Sequence, residues 1–501
     1  MRITNNMIMG NSKSNIGGVK GLVDKYNTQM TTQKKISKAS ENPVIAIRSL
    51  RMTTSMTHIE QFSENNIPDA QAWLDVTHTA LDNMKSILTD VRTQCVHGST
   101  DALTAEDRST ILKQLSALVD QVYTEGNADY AGRTIFTGYR TSSDLTFINN
   151  TDAEKASYKI TQNFDSSNLE EHRYYSAGVT VPSVVNDTTA RYNSEVSENN
   201  LYRLRLAYGG VDADNSLIMK QDGEVVNTLT FNEGADNVYD TAEDFSKALS
   251  EGRINDDSAV LIKETGEIVF GKNVAKTILD NKYELETTYT KNGFDAGDAR
   301  PEYFYNCTSY ADGREIEFIY EDQPIKYTVA SNTEITVNTQ AKDVFDTSIR
   351  RDVNELIDIV QKAISAHEKI DRINSMMKET QYADDENAQA VLKTYLEAAQ
   401  KEADYADDNL QKTYGDYITR FDGYLGSVNQ AITDVGNSQS RLTLIQTRVE
   451  NQYTTIEELK SINEDRDLSD IIIDYTAVYN AYKASLTAAS KVGQTSLLDY
   501  L

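Results

Sequence analysis

The chain has 501 residues, with 77 acidic side chains against 49 basic ones and a formal net charge of −28. A surface this acidic repels phosphate, which argues against a general nucleic-acid binder, and no apolar run reaches the length of a transmembrane helix. The two cysteines, Cys95 and Cys307, are too few for a disulfide framework.

Residues 1–145 read as helical. Apolar positions recur at steps of three and four: first Ile16, Val19, Val23, Tyr26 and Met30, then Leu74, Thr77, Leu81, Met84, Leu88, Val91 and Cys95, then Ile111, Leu115, Leu118 and Val122. Residues 1–60 carry nine Lys/Arg against three Asp/Glu. These charges are spaced among apolar positions, and no aromatic platform accompanies them, so nucleic acid is not the natural partner. The opening Met1-Arg2-Ile3-Thr4-Asn5-Asn6 lacks the apolar core of a cleavable signal peptide.

From about 150 to 345 the chain changes character. Gly209-Gly210, Asp222-Gly223 and Asp312-Gly313 punctuate short β-branched and aromatic runs at 224–231, 259–263, 266–271 and 316–320. These predict strands and hairpins, with one short helix over 241–254. Residues 151–345 hold 35 acidic against 18 basic side chains, best read as a solvated surface.

Helical patterning returns from about 346. Only five prolines occur, at 43, 68, 182, 301 and 324, so nothing interrupts a helix beyond residue 324. Tyr414, Tyr417, Phe421, Tyr424, Val428, Ala431, Val435, Ser438, Leu442, Ile445, Val449, Gln452, Ile456 and Leu459 alternate strictly at three and four residues. That is the seam of a coiled rod ~69 Å long. A last seam, Tyr475, Tyr479, Tyr482 and Leu486, closes the chain. The expected fold is therefore mostly α with a β-rich insert, an α+β chain whose helical rod is built from both ends. The terminal helices expose narrow seams, and isolated helices are marginal in water. They are expected to be completed by neighbouring subunits.

No catalytic or metal-binding constellation stands out. Cys95 lies on a seam, where a small apolar residue belongs. His97 has no second ligand at zinc spacing. Asp212-x-Asp214-x-Ser216 lacks the glycine and glutamate of a calcium loop. Gly209-Gly210 has neither a P-loop lysine nor a dinucleotide fingerprint. The acidic runs 384–386 and 407–408 read as solvated faces, and the lone Trp73 as a packing anchor. No cofactor, metal or catalytic residue is assigned.

Several motifs carry a resemblance. Both ends of the chain resemble the flagellin family, and within it the subunits of the hook–filament junction. The residues are Met1-Arg2-Ile3-Thr4-Asn5-Asn6-Met7, Gln29-Met-Thr-Thr-Gln-Lys-Lys-Ile36, Ser40-Glu41-Asn42-Pro43 and Tyr130-Ala-Gly-Arg-Thr-Ile-Phe-Thr-Gly-Tyr139 with Phe147. At the other end they are Arg441-Leu-Thr-Leu-Ile-Gln446, Ala484-Ser-Leu486 and Ser496-Leu-Leu-Asp-Tyr-Leu501. The likeness spans about 1–150 and 325–501. Gln33 stands where the family has glycine, and Glu41-Asn42 replaces its commoner Asp-Asp. The resemblance implies a non-enzymatic junction adaptor of the bacterial flagellum. The chain would be extracellular and exported without a cleaved signal peptide. It implies five segments: 1–45 and 456–501 in a terminal coiled-coil rod, 46–150 and 341–455 in an inner helical domain, and 151–340 as a variable outer domain. Assembly would run through Ile16, Val19, Val23, Tyr26, Met30, Tyr475, Tyr479, Tyr482 and Leu486. Implied partners are further copies of the chain in a ring or tube, hook-associated protein 1, flagellin and an export chaperone. Flagellin itself, and a surface protein whose insert binds a ligand, remain alternatives.

Overall fold

The computed structural model describes residues 5–100, 104–176, 179–185, 197–310 and 314–494. The opening four residues, the Asp312-Gly313 pair and the closing tract at 496–501 lie outside them. The N-terminal helices are α1 (Asn5–Thr32), α2 (Pro43–Gln61), α3 (Ile67–Gly98) and α4 (Ala105–Glu125), followed by the hairpin β1 (Asp129–Tyr130) and β2 (Arg133–Thr134). The insert runs through α5 (Asn150–Lys155), β3 (Ser157–Phe164), β4 (Glu170–Ser176), β5 (Ser197–Arg205), β6 (Asn215–Gln221), β7 (Glu224–Phe231) and β8 (Val238–Tyr239). It continues with α6 (Ala242–Ser250), β9 (Ala259–Ile262), β10 (Glu267–Phe270), α7 (Lys272–Asn281), β11 (Glu284–Asn292), β12 (Asn306–Ser309) and β13 (Ile316–Phe318). The hairpin β14 (Lys326–Ala330) and β15 (Thr333–Thr336) leads to α8 (Ala341–Val344), α9 (Ser348–Met377), α10 (Glu386–Glu464) and α11 (Leu468–Gln494). The chain is α+β, helical at both ends and β-rich between.

Internal contacts divide it into two units. One holds Met1–Gln71, Tyr327–Ile335 and Ser440–Leu501; the other holds Ala72–Lys326 and Thr336–Gln439.

In the larger unit, strand order is β13-β12-β3-β11-β6-β7 in one sheet and β4-β5-β10-β9-β8 in a second. Every pairing is antiparallel except β8 with β9. The β6–β7 hairpin turns on Asp222 and Gly223, both at positive φ, the two-residue turn that matches strand twist. Alternation along β3 and β11 sends Tyr158, Ile160, Leu285 and Tyr289 inward. There they share one core with Leu204, Ile268 and Phe270 of the second sheet and with Ala275 and Ile278 of α7. The opposite face of the second sheet, Leu201, Val260, Ile262 and Val269, packs on Phe245, Ala248 and Leu249 of α6.

The helices of this unit follow the seams read from sequence. All seven positions from Leu74 to Cys95 are buried, as are Tyr414, Tyr417, Phe421, Val428, Ala431 and Val435 on α10. Arg92 clamps Asp422 through Nε and Nη2 at 2.6 and 3.3 Å, tying α3 to α10. Gly98 is needed at its position, because a Cβ there would lie 2.5 Å from the Tyr414 ring. Trp73 is fully buried, edge-on to Tyr130 at 6.1 Å with the Arg133 guanidinium over its face at 5.0 Å. It anchors the β1–β2 hairpin, whose turn places Ala131 and Gly132 at positive φ.

A buried ionic network links the second sheet to α9 and α10. Arg203 on β5 donates to Glu267 at 2.8 Å and to Glu355 at 2.8 and 3.0 Å. Arg205 meets the fully buried Asp352 at 2.6 Å, and Tyr424 donates to the same carboxylate at 2.8 Å. Arg420 reaches Glu170 at 2.7 Å. Burial opposes the charge on Glu355, but Arg203, His172 and Arg205 together hold its carboxyl well below the usual range. Breaking one partner of such a set leaves an uncompensated buried charge.

Candidate assembly surface

The smaller unit is made of three stretches far apart in sequence, and its centre is the packing of α1 on α11. α1 ends at Gln33, which adopts φ +57° and whose N–H reaches back to the Gln29 carbonyl at 2.7 Å. The chain then runs as a bridge, Lys34 opposite Asp465. Lys35 N–H donates to the Glu464 carbonyl at 2.6 Å, and Arg466 N–H to that of Gln33 at 2.9 Å. The Lys34 ammonium binds Asp465 at 2.5 Å and Glu464 at 3.1 Å. Its hydrogen bond to Asp465 raises it above the ordinary amine range.

Arg466 organises the junction between α10 and α11. Its guanidinium lies over the Tyr26 ring at 5.5 Å, donates to Gln29 Oε1 at 3.0 Å and pairs with Asp474. Gln29 is only 4% exposed and uses both ends of its amide, donating to the Lys35 carbonyl at 2.6 Å. A buried glutamine is stable only when satisfied in this way. Gln29 opens one of the motifs singled out in the sequence, but nothing there marks it as buried, and Arg466 looks like ordinary polar surface.

α2 starts cleanly. Asn42 caps it by accepting from Val44 and Ile45 N–H at 3.2 and 3.3 Å, and Pro43 fills the first helical position. Its Met56 and Ile59 are buried, and Tyr453 on α10 donates to Glu60 at 2.9 Å. A wide π turn at Phe62–Asn66 separates α2 from α3 just ahead of Pro68, which has no N–H to give. Val329, Ala330 and Ile335 of the β14–β15 hairpin are buried in this unit. Between α2 and α10 lies a groove of about 880 Å³ lined by His58, Ile59, Phe62, Leu444, Arg448 and Ile456.

The nine seam residues divide by position. On α1, Ile16, Val19, Val23, Tyr26 and Met30 are all half-buried. On α11, Tyr475 and Tyr482 are half-buried, while Tyr479 at 37% and Leu486 at 43% are exposed. Tyr475 and Tyr479 stack at 5.8 Å with an interplanar angle of 8°. The two end helices therefore partner each other within one chain, where the seams alone suggested that neighbouring subunits would be needed to cover them.

The smaller unit also exposes many large apolar side chains. Met7, Ile8, Met9 and Leu22 of α1 are exposed, as are Val44, Ile47 and Leu50 of α2. So are Leu444, Leu459 and Ile462 of α10, and Leu468, Ile472, Ile473, Tyr479 and Leu486 of α11. Among the described residues this unit carries more of the exposed large apolar side chains than the far longer second unit does. Exposed apolar surface of this kind is a candidate interaction face. The α2 row, three residues apart, is visible in the sequence once α2 is recognised.

The reactive residues take no part. Cys95 is fully enclosed, and burial pushes its thiol up to about 12; Cys307, in β12, is pushed up to about 12 by the same cause. Among the described residues, no group of three His, Cys, Asp or Glu side chains is placed to hold a metal. Gly209 serves a close backbone approach, since a Cβ there would lie 2.6 Å from the Glu264 carbonyl. No helix is long and apolar enough to cross a membrane among the described residues.

Residues 3–141 match the bacterial flagellin N-terminal helical region. The flagellar hook-associated protein 3 of Escherichia coli K12 is 24% identical over 120 residues, covering 24% of this chain and 38% of its own length. That of Salmonella typhimurium LT2 is 23% identical over 144 residues, 28% of this chain and 45% of its own. The chain thus spans less than half the length of the curated relatives it matches. Among solved structures, the flagellar junction protein FlgL from Legionella pneumophila is 13% identical. The match covers 84% of this chain and all of that one, with a TM-score of 0.30, a likeness too loose to bear on function.

Proposed function

We propose that the chain is a structural subunit of the bacterial flagellum, a hook–filament junction adaptor that assembles through its terminal helices and catalyses nothing. The observation that carries this reading is the α1–α11 pair. It joins the two ends of a chain whose residues 3–141 match a flagellin region, in a unit that exposes many large apolar side chains. Covering one such side chain is worth about 1.5–3 kcal/mol. A head-to-tail contact repeated without closure builds a tube, and a closed one builds a ring.

In this reading 1–45 and 456–501 form the rod of the assembly, 46–150 and 341–455 an inner helical layer, and 151–340 an outward domain. Further copies of the chain lie alongside, hook-associated protein 1 on the hook side and flagellin on the filament side. The chain leaves the cell unfolded, with a chaperone on its last helix, and ends up on the outside. Both curated relatives are named flagellar hook-associated protein 3, which supports this reading over the main filament subunit. The deciding experiment is deletion of the gene. The expected result is cells with hooks but no filaments and flagellin free in the medium, reversed by the intact gene. Normal filaments in the deletion strain would overturn the assignment.

A further inference from the structure

The larger unit contains a cleft of about 610 Å³ enclosed by β4, the end of β9 and start of β10, α6, α9 and α10. It takes no part in the assembly reading. Its size is that of a small-molecule pocket. Two of its polar atoms are unaccounted for. Glu402 on α10 has a side chain only 8% exposed; its Oε1 accepts from Lys369 at 2.8 Å, while its Oε2 is buried with no hydrogen-bond partner. Thr265, in the β9–β10 turn, lines the same cleft, and its buried Oγ1 also has no hydrogen-bond partner. A buried carboxylate oxygen left without a donor is costly in a dry site, so this one must be served by water or by a ligand.

The charges around the cleft point to the ligand's chemistry. Arg203 is occupied by Glu267 and Glu355, and Lys369 by Glu402. Burial raises the Asp358 carboxyl above its ordinary range, against the pull of Lys362 one helical turn away. Arg173 and Glu243, of opposite sign, also line the cleft, so neither sign dominates it. An anion would be repelled by the open Glu402 oxygen, and an ammonium group would find a carboxylate already neutralised by Lys369. The apolar part of the wall is formed by Tyr174, Phe245, Ile359 and Ala406, beside polar residues such as Tyr405 and Asn409. A compound that offers hydroxyl donors at its edge and a C–H face to an apolar wall suits both features.

We propose that this cleft binds a neutral saccharide, whose hydroxyls replace water at Glu402 Oε2 and Thr265 Oγ1 while a ring face lies on the Phe245 side. Bridging water exchanged for ligand hydroxyls keeps these bonds and releases the water. The test uses the full chain and ligand-observed saturation-transfer NMR with glucose, galactose, mannose and N-acetylglucosamine. Binding of at least one is expected. Its dissociation constant should rise tenfold or more in Glu402→Ala, and equally in Ser365→Trp, which fills the mouth from an exposed position and leaves the buried Glu402–Lys369 pair intact. Glu397→Ala, on an exposed part of α10 outside the cleft, should bind as the parent does. Far-UV circular dichroism checks that each variant is folded, and Ser365→Trp decides if Glu402→Ala is not. The proposal fails if none of the four sugars shows transfer. It fails equally if binding is unchanged in the folded variants, or if putrescine binds there and the sugars do not.

Discussion

Gln33 ends α1 in the left-handed region, at φ +57°, with its side chain in solvent. A non-glycine residue there costs on the order of 1 kcal/mol. The resemblance sets this position apart, since it leads one to expect glycine there, but only the backbone shows the glutamine in a left-handed conformation. Gln33→Gly should raise the smaller unit's stability by about 0.5–1 kcal/mol, read as a shift in thermal unfolding, and Gln33→Val should lower it. His172 could not be read in this way, because its neighbours are distant in sequence. Burial, and then Arg203 beside it, push its imidazole down to about 4. The folded state thus binds this proton less readily than the unfolded state does. The corresponding stability is present above about pH 6.5 and drains away as pH falls toward 4, by on the order of 2 kcal/mol. Asp352, raised by burial, works in the opposite sense near the bottom of that range. His172→Gln isolates the histidine: urea midpoints measured from pH 7.5 to 4.5 should fall less steeply than those of the parent.

α10 was legible because its seam never breaks step, and from Tyr414 to Val449 the spacing of three and four coincides with the buried side. α7 was missed; it is a ten-residue helix between two strands, with too few turns to show a period. α11 is harder again. Ile471-Ile472-Ile473 is apolar all round and gives no phase, yet Ile471 is fully buried while Ile472 and Ile473 are exposed at 46% and 65%. The inward row also uses Val478 and Ser485, both half-buried, and a serine does not announce itself as an interface residue. The two sides of α11 should therefore fail differently. Ile473→Asp with Leu486→Asp should leave helicity intact and abolish incorporation into flagella, scored by electron microscopy. Ile471→Asp should unpick the α1–α11 pair and lose helical signal at 222 nm, with a cost of about 3 kcal/mol or more from a buried unpaired charge.

At the level of the whole chain, composition alone separated a helical scaffold from the β-rich stretch inside it. The grouping into two units was not legible. It depends on residues 327–335 joining the chain ends and on α10 serving both units, and no local pattern records which distant segments meet. The larger unit has its own cores and its own ionic network, so removing residues 1–40 should leave it folded. The truncated chain should keep a cooperative transition and the near-ultraviolet signal of Trp73, yet fail to restore motility to a deletion strain. Restored swimming would count against assembly through α1.

The bond between Gln29 and Arg466 joins residues 437 positions apart. Closing so long a loop costs only logarithmically more than closing a short one, but it fixes an order of events. The leading helix has no intramolecular companion until nearly the entire polypeptide has been synthesised. A product cut short before its final sixty or so residues would carry a loose front end, open to proteases however well its middle had folded. The clasp can shut only after the segment that carries Arg466 has been made.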